Sequence, residues 1–217
     1  MKSNERRLLT PAELERIAQT VSAAEKRTSG EIVCLIVPQS YHYPMAAVIG
    51  ATALALPAAI LLTPLFGGWL WIGTQNMWLF LGLLGLLWPP AYLLVKHTAF
   101  LKRIFISRKE MAEEVEEAAV VNFYQYGLYR TSAANGILIF ISELEHTVWI
   151  LADQGINAKV PGGQWNTIVE RLTDGIRKGR PADAICDAVA AAGDILSTHF
   201  PLGPDDRDEL RNVIIGE

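Results

Sequence analysis

Residues 44–95 read PMAAVIGATALALPAAILLTPLFGGWLWIGTQNMWLFLGLLGLLWPPAYLLV. They contain no Asp, Glu, Lys or Arg, and the charge-free window runs from Ile32, just after Glu31, up to Lys96. Two apolar runs lie inside it, Met45 to Phe66 and Met77 to Val95, joined by Gly67-Gly68-Trp69-Leu70-Trp71-Ile72-Gly73-Thr74-Gln75-Asn76. Each is about 20 residues, or roughly 30 Å of helix, the thickness of a bilayer's hydrocarbon core. The reading is a transmembrane helical hairpin with spans at 45–66 and 77–95. A buried helix pair in a soluble core is the competing reading, but such helices carry a polar face and neither run has one. Pro57, Pro64, Pro89 and Pro90 are compatible with spans, since membrane helices tolerate proline where neighbours take up the freed carbonyls.

The flanks set an orientation. Lys96, Lys102, Arg103, Arg108 and Lys109 follow the second run, Lys26 and Arg27 precede the first, and the connecting loop has neither Lys nor Arg. Cationic flanks stay cytoplasmic, so both ends and the soluble part are expected inside, as in a multi-pass protein of the bacterial inner membrane. Tyr41, Tyr43 and Tyr92 fall at the inner interface and Trp69, Trp71 and Trp78 at the outer one. Trp88 lies deeper and reads as a packing residue between the helices.

Working outward, Thr10-Pro11-Ala12-Glu13 opens a helix with a capping box, proline at the first helical position and Leu9 and Leu14 at staple spacing. Leu14, Ile17, Ala18, Val21 and Ala24 form its apolar face. Ile32 to Val37 is a short run apolar on both faces, which suits a strand covered on both sides. After the hairpin, Ser107-Arg108-Lys109-Glu110 is a second capping box, with Met111, Val115, Ala118 and Ala119 inward and Glu113, Glu114, Glu116 and Glu117 mostly outward. Gly136 to Ser142 and Thr147 to Ala152 are two strands so close that they must pair antiparallel. Two helices follow, one holding Trp165, Ile168, Val169, Leu172 and Ile176, the other beginning near Pro181, holding Ile185, Ala188, Val189, Ala192, Ile195 and Leu196, and ended by His199-Phe200-Pro201.

The expected fold is therefore α/β: a small mixed sheet covered by helices on both faces, interrupted by the two-helix hairpin. Its parts are 1–43, the hairpin at 44–97, 98–201, and an acidic tail at 202–217 whose Val213-Ile214-Ile215 has the character of a docking segment. The hydrophobic content of 51% is accounted for by the hairpin, and the net charge of −4 without a basic stripe excludes nucleic acid as a partner. Cys34 and Cys186 lie in apolar surroundings without CxxC spacing and read as structural thiols of a reducing compartment.

Leu9-Thr10-Pro11, Ser29-Gly30-Glu31-Ile32-Val33, Asn135 to Ser142, Asp153-Gln154-Gly155-Ile156, the segment Trp165 to Leu172, and Ile195-Leu196 before His199-Phe200-Pro201 form an ordered series. In these residues the soluble segments resemble the TPM domain family. The resemblance implies a mixed α/β fold and a varied set of roles, among them a thylakoid acid phosphatase, photosystem II repair and modulation of nematode acetylcholine receptors. It also implies that calcium or another divalent ion binds in some members. The chain departs from the family in one respect: the hairpin splits the domain after its first strand, and the charge bias puts the domain in the cytoplasm.

Strand ends are where sites collect in α/β domains, which marks Asn135, Glu143, Glu145 and Asp153 as candidate ligands of a hard cation such as Ca²⁺ or Mg²⁺, with His146 beside them. With a metal, phosphate-ester hydrolysis is within reach of such residues. No EF-hand, HExxH, P-loop or GxSxG motif is present, and acidic residues at turns are more often caps or solvated side chains. His42, His97, His146 and His199 are not at ligand spacing. Catalytic residues are not assignable from the sequence. Three function readings follow: a membrane-tethered interaction or accessory module for membrane protein complexes, a divalent-metal-dependent phosphatase by family analogy, and a channel or transporter component. The last needs many copies, because the spans carry no ionisable residue. Gly50, Gly82 and Gly85 permit close helix contact, so self-association joins the bilayer and other membrane proteins among the expected partners.

Overall fold

A computed structural model of the chain describes residues 8–131, 133–161, 163–202 and 212–216. It divides into two compact units, one of residues 1–41 with 112–217 and one of residues 42–111.

The first unit is built on a four-stranded sheet of order β3-β2-β1-β4, with β1 Glu31–Val37, β2 Gly136–Ser142, β3 Thr147–Ala152 and β4 Val213–Ile215. β1 runs parallel to β2 and to β4, while β2 and β3 form the expected antiparallel hairpin with Ile137 opposite Ala152 and Ser142 opposite Thr147. The tail is thus not wholly outside the domain. Val213, Ile214 and Ile215 sit opposite Cys34, Leu35 and Ile36 and close that edge of the sheet. The acidic residues 203–211 lie outside the described residues.

Every residue of β1 and β2 is buried, which explains their unbroken apolar runs: the sheet has a core on each face. One face carries Ile32, Cys34, Ile36, Ile137, Ile139 and Ile141 against α1 Pro11–Glu25, α7 Gln164–Arg177 and α8 Pro181–His199. The other carries Val33, Leu35, Val37, Leu138 and Phe140 against Val115, Ala119 and Phe123 of α5 Arg108–Gln125, and against Leu128 of a 3₁₀ turn. α1 begins with the capping box read from the sequence: Thr10 Oγ1 accepts from Glu13 N at 3.3 Å and Glu13 Oε2 accepts from Thr10 N at 2.7 Å.

The second unit contains α2 Pro44–Trp69 and α3 Met77–His97, both longer than the runs read from the sequence, with α4 Ala99–Ile104 and the start of α5. Both long helices are long and apolar enough to cross a membrane, with mean hydropathies of 2.2 and 1.8. α2 buries Ala47, Ala51, Ala55, Ala59, Thr63 and Gly67, one small residue per turn, which lets α3 approach closely. Trp88 packs between the two helices as expected, donating from Nε1 to Thr52 Oγ1 at 3.2 Å. Gly50 is used inside the unit, since a Cβ there would fall 2.7 Å from the Phe105 ring and 2.8 Å from Val95. Gly82 and Gly85 have nothing within 4 Å of an added Cβ, so the three glycines do not share one contact.

Candidate functional site

The predicted site residues sort to the two ends of one β-hairpin. Glu143 and Glu145 lie in the link between β2 and β3, whereas Asn135 precedes β2 and Asp153 follows β3. Seven residues of strand separate the ends, roughly 20 Å at 3.3 Å per residue, so no single ion can take ligands from both.

At the link end, the carboxylates tie loops together. Glu145 is 2% exposed and accepts from the Ser40 backbone N–H at 3.0 Å and from the Ser142 hydroxyl. Glu143 Oε1 accepts from Leu8 N at 3.3 Å. His146 sits in the left-handed region with φ of 52°, at the bend between the strands.

The other end is arranged differently. Asn135 is buried; its side-chain amide donates to Ser29 O, its N–H to Thr131 Oγ1 at 3.1 Å, and its carbonyl accepts from Glu31 N at 3.2 Å. It fastens the start of β2 to the start of β1. Asp153 N donates to Gly136 O at 2.9 Å, and Glu31 pairs with Gly136 across the parallel ladder. Glu31, Gly136 and Asp153 therefore form one row across three strands. By alternation all three share the face of Val33, Leu138 and Leu151. The Cα atoms of Glu31 and Asp153 are two strand spacings apart, about 10 Å. Gly136 leaves the space between them without a side chain. The Leu128 carbonyl occupies it, lying 2.5 Å from where a Cβ would stand. Gly155 holds the next loop equally close, with Ala134 O 2.4 Å from its Cβ position.

Asp153 Oδ1 caps α6 Gln154–Asn157 by accepting from Gln154 N at 2.7 Å, while Oδ2 is buried without a hydrogen-bond partner. A carboxylate oxygen in that position is costly unless something pairs with it. Carboxylates flanking a carbonyl are the oxygen set that a hard divalent cation takes. Sequence reasoning missed Glu31. The signal was there: a charged residue opens a strand that is otherwise apolar, with the parity of Val33 and Leu35. Among the described residues there is no group of three or more His, Cys, Asp or Glu able to hold a metal, so backbone oxygens would have to complete any such sphere.

A cleft of about 270 Å³ opens between α7 and α8 over Ile168, Leu172 and Ala188. None of the predicted site residues lines it. Two of its aspartates are already paired, Asp183 with Arg16 and Asp174 with Lys178, each at 2.6 Å.

A sheet of this order with helices on both faces defines a mixed α/β domain. Residues 100–195 match the model of the TPM domain. The match takes in β2, β3, α7 and most of α8, and leaves β1 and the two long apolar helices outside it. The chain is also similar to the BA42 protein of the psychrophilic bacterium Bizionia argentinensis, known from an NMR structure. The two share 21% identity over 100% of each chain with a TM-score of 0.60, a likeness of fold. No curated protein matches the chain.

Proposed function

We propose that the chain is a membrane-anchored TPM-type module, held by α2 and α3 with its α/β unit and both ends in the cytoplasm, and that it acts by binding other membrane proteins. The observation that carries the reading is the surface of the second unit. The most apolar window of α3 is only 6% buried and that of α2 33%. Leu61, Leu65, Met77, Trp78 and Leu86 are each more than 60% exposed. A core helix of a soluble protein would be covered, and an apolar surface this continuous is stable where lipid covers it. An interaction role is favoured over catalysis because the carboxylates at the link end are engaged in holding loops.

Orientation is tested by cysteine labelling with a membrane-impermeant maleimide. Gln75→Cys, in the loop between the spans, is labelled in intact cells, and Ser107→Cys only after permeabilisation. Labelling of Ser107→Cys in intact cells would overturn the cytoplasmic placement.

A second reading is supported by the buried Asp153 Oδ2: a divalent cation between Asp153 and Glu31, with the Leu128 carbonyl as a third oxygen. Bound there, a metal would supply Lewis-acid activation of a phosphate ester. The chain's own part is to hold two carboxylates on one face of the sheet and to cap α6 with the other Asp153 oxygen. Asp153→Asn keeps the cap, since Asn serves as well as Asp there, but removes the charge. Calorimetric titration of the detergent-solubilised chain with Ca²⁺ and Mg²⁺ is expected to show saturable binding that Asp153→Asn and Glu31→Gln each abolish. A phosphate-ester assay on the same samples separates an enzyme from a structural ion. Wild-type protein that binds neither ion sinks the reading.

A further inference from the structure

The second unit carries a surface that its long helices do not account for. α4 is six residues long and directly follows the end of α3. It exposes two large apolar side chains one turn apart, Phe100 at 73% and Ile104 at 58%. Lys96 stands four residues before Phe100 and Arg108 four residues after Ile104, and both are exposed. Lys96 Nζ lies 6.0 Å from the centroid of the Tyr92 ring, a cation on an aromatic at the last turns of a helix long enough to span. Between Glu31 and Glu110 the chain has no acidic residue, so Lys96 stands far in sequence from any carboxylate on its N-terminal side, while the glutamates of α5 begin at Glu110, after Arg108.

From this arrangement we infer that the 96–108 segment is a lipid-recognition surface selective for acidic phospholipid headgroups. The inference rests on the membrane reading of α2 and α3 and goes beyond it by naming the lipid. Phe100 and Ile104 lie at the boundary between headgroups and acyl chains, where a short amphipathic helix buries its apolar side. Lys96 extends its stem along the Tyr92 ring and its ammonium toward phosphate, and Arg108 presents a planar fork that matches a phosphodiester oxygen pair. A zwitterionic headgroup offers the same phosphate with a choline cation beside it, and the attraction largely cancels. Each cation near an anionic leaflet is worth about a fivefold preference at moderate ionic strength, and salt screens it.

The test uses the full chain in nanodiscs of phosphatidylcholine alone or with one third phosphatidylglycerol, read by amide hydrogen exchange. In the anionic discs, amides of residues 99–108 exchange about fivefold or more slowly than in the neutral ones. The difference disappears in 0.5 M NaCl and in the Lys96→Gln/Arg108→Gln variant. Phe100→Ser/Ile104→Ser loses protection in both lipids. In every variant, unchanged exchange in β2 reports an intact fold. Equal exchange of 99–108 in the two lipids, with α2 and α3 protected, overturns the lipid selectivity and leaves the anchor standing. Free exchange in α2 and α3 overturns the anchor itself.

Discussion

Arginine at Ile60 together with arginine at Leu86 prevents stable membrane insertion of the chain. Ile60 is 56% exposed near the middle of α2, and Leu86 70% exposed near the middle of α3. In water, replacing an exposed apolar side chain by arginine changes stability by no more than about 0.5 kcal/mol. In a bilayer, arginine at a helix centre costs about 3 kcal/mol and the lost leucine or isoleucine adds about 0.5, so the pair costs roughly 7 kcal/mol. Neither position packs inside the unit, so the substitutions leave the contacts between α2 and α3 in place and act through the solvent around them. The measurement is the fraction of full-length chain that stays with carbonate-washed membranes. It is expected to be near complete for wild type, reduced for each single variant and lost for the double. Wild-type chain released by carbonate, or a double variant that fractionates like wild type, would show that lipid does not surround these helices.

How far the sequence could be read follows from which contacts are local. The long helices declare themselves because their length and apolar composition are visible without knowing any partner. The β2–β3 hairpin is equally legible: Glu143 to His146 is too short for anything but an antiparallel return. β4 is not, since three residues after an acidic stretch carry no period. Their place beside Cys34, Leu35 and Ile36 is a contact across most of the chain. The candidate site was half legible. Asn135 and Asp153 mark one end of the hairpin and Glu143 and Glu145 the other, and the length of β2 keeps them apart. Glu31 joins Asp153 only through parallel pairing of β1 with β2, which a hairpin inserted between them hides from any local pattern. The three glycines of the long apolar helices look alike in sequence, yet Gly50 faces Phe105 and Val95 while Gly82 and Gly85 have open space around them.

The second large effect is alkaline destabilisation through Cys34. This thiol lies at the centre of β1, fully buried, between Ile139 of β2 and Val213 of β4. Burial pushes its pKa up from 9.0 to about 12, with smaller contributions in the same direction from Cys186 and Glu25. An unfolded chain ionises this thiol near pH 9, whereas the folded chain does not until about pH 12. The neutral thiol is therefore the form the fold keeps. Its contribution is intact below pH 9, falls by about 1.4 kcal/mol per pH unit above it, and is lost by about pH 12, a total of about 4 kcal/mol. Tyrosines and lysines titrate in the same range, so the comparison is with Cys34→Ala, whose own packing loss is independent of pH. Denaturant unfolding of the α/β unit in detergent, at intervals from pH 8 to pH 12, should give curves for the two proteins that converge by about 4 kcal/mol as pH rises. Because Cys34 N donates to Asn212 O at 3.0 Å, the same strand that buries the sulfur also holds β4. A thiolate forced into the sheet at high pH would loosen that edge first, and backbone exchange at Val213 to Ile215 should rise before exchange in β2. Parallel stability curves for wild type and Cys34→Ala would mean that water reaches the sulfur in the folded state, and that α1 and α8 do not seal that face of β1.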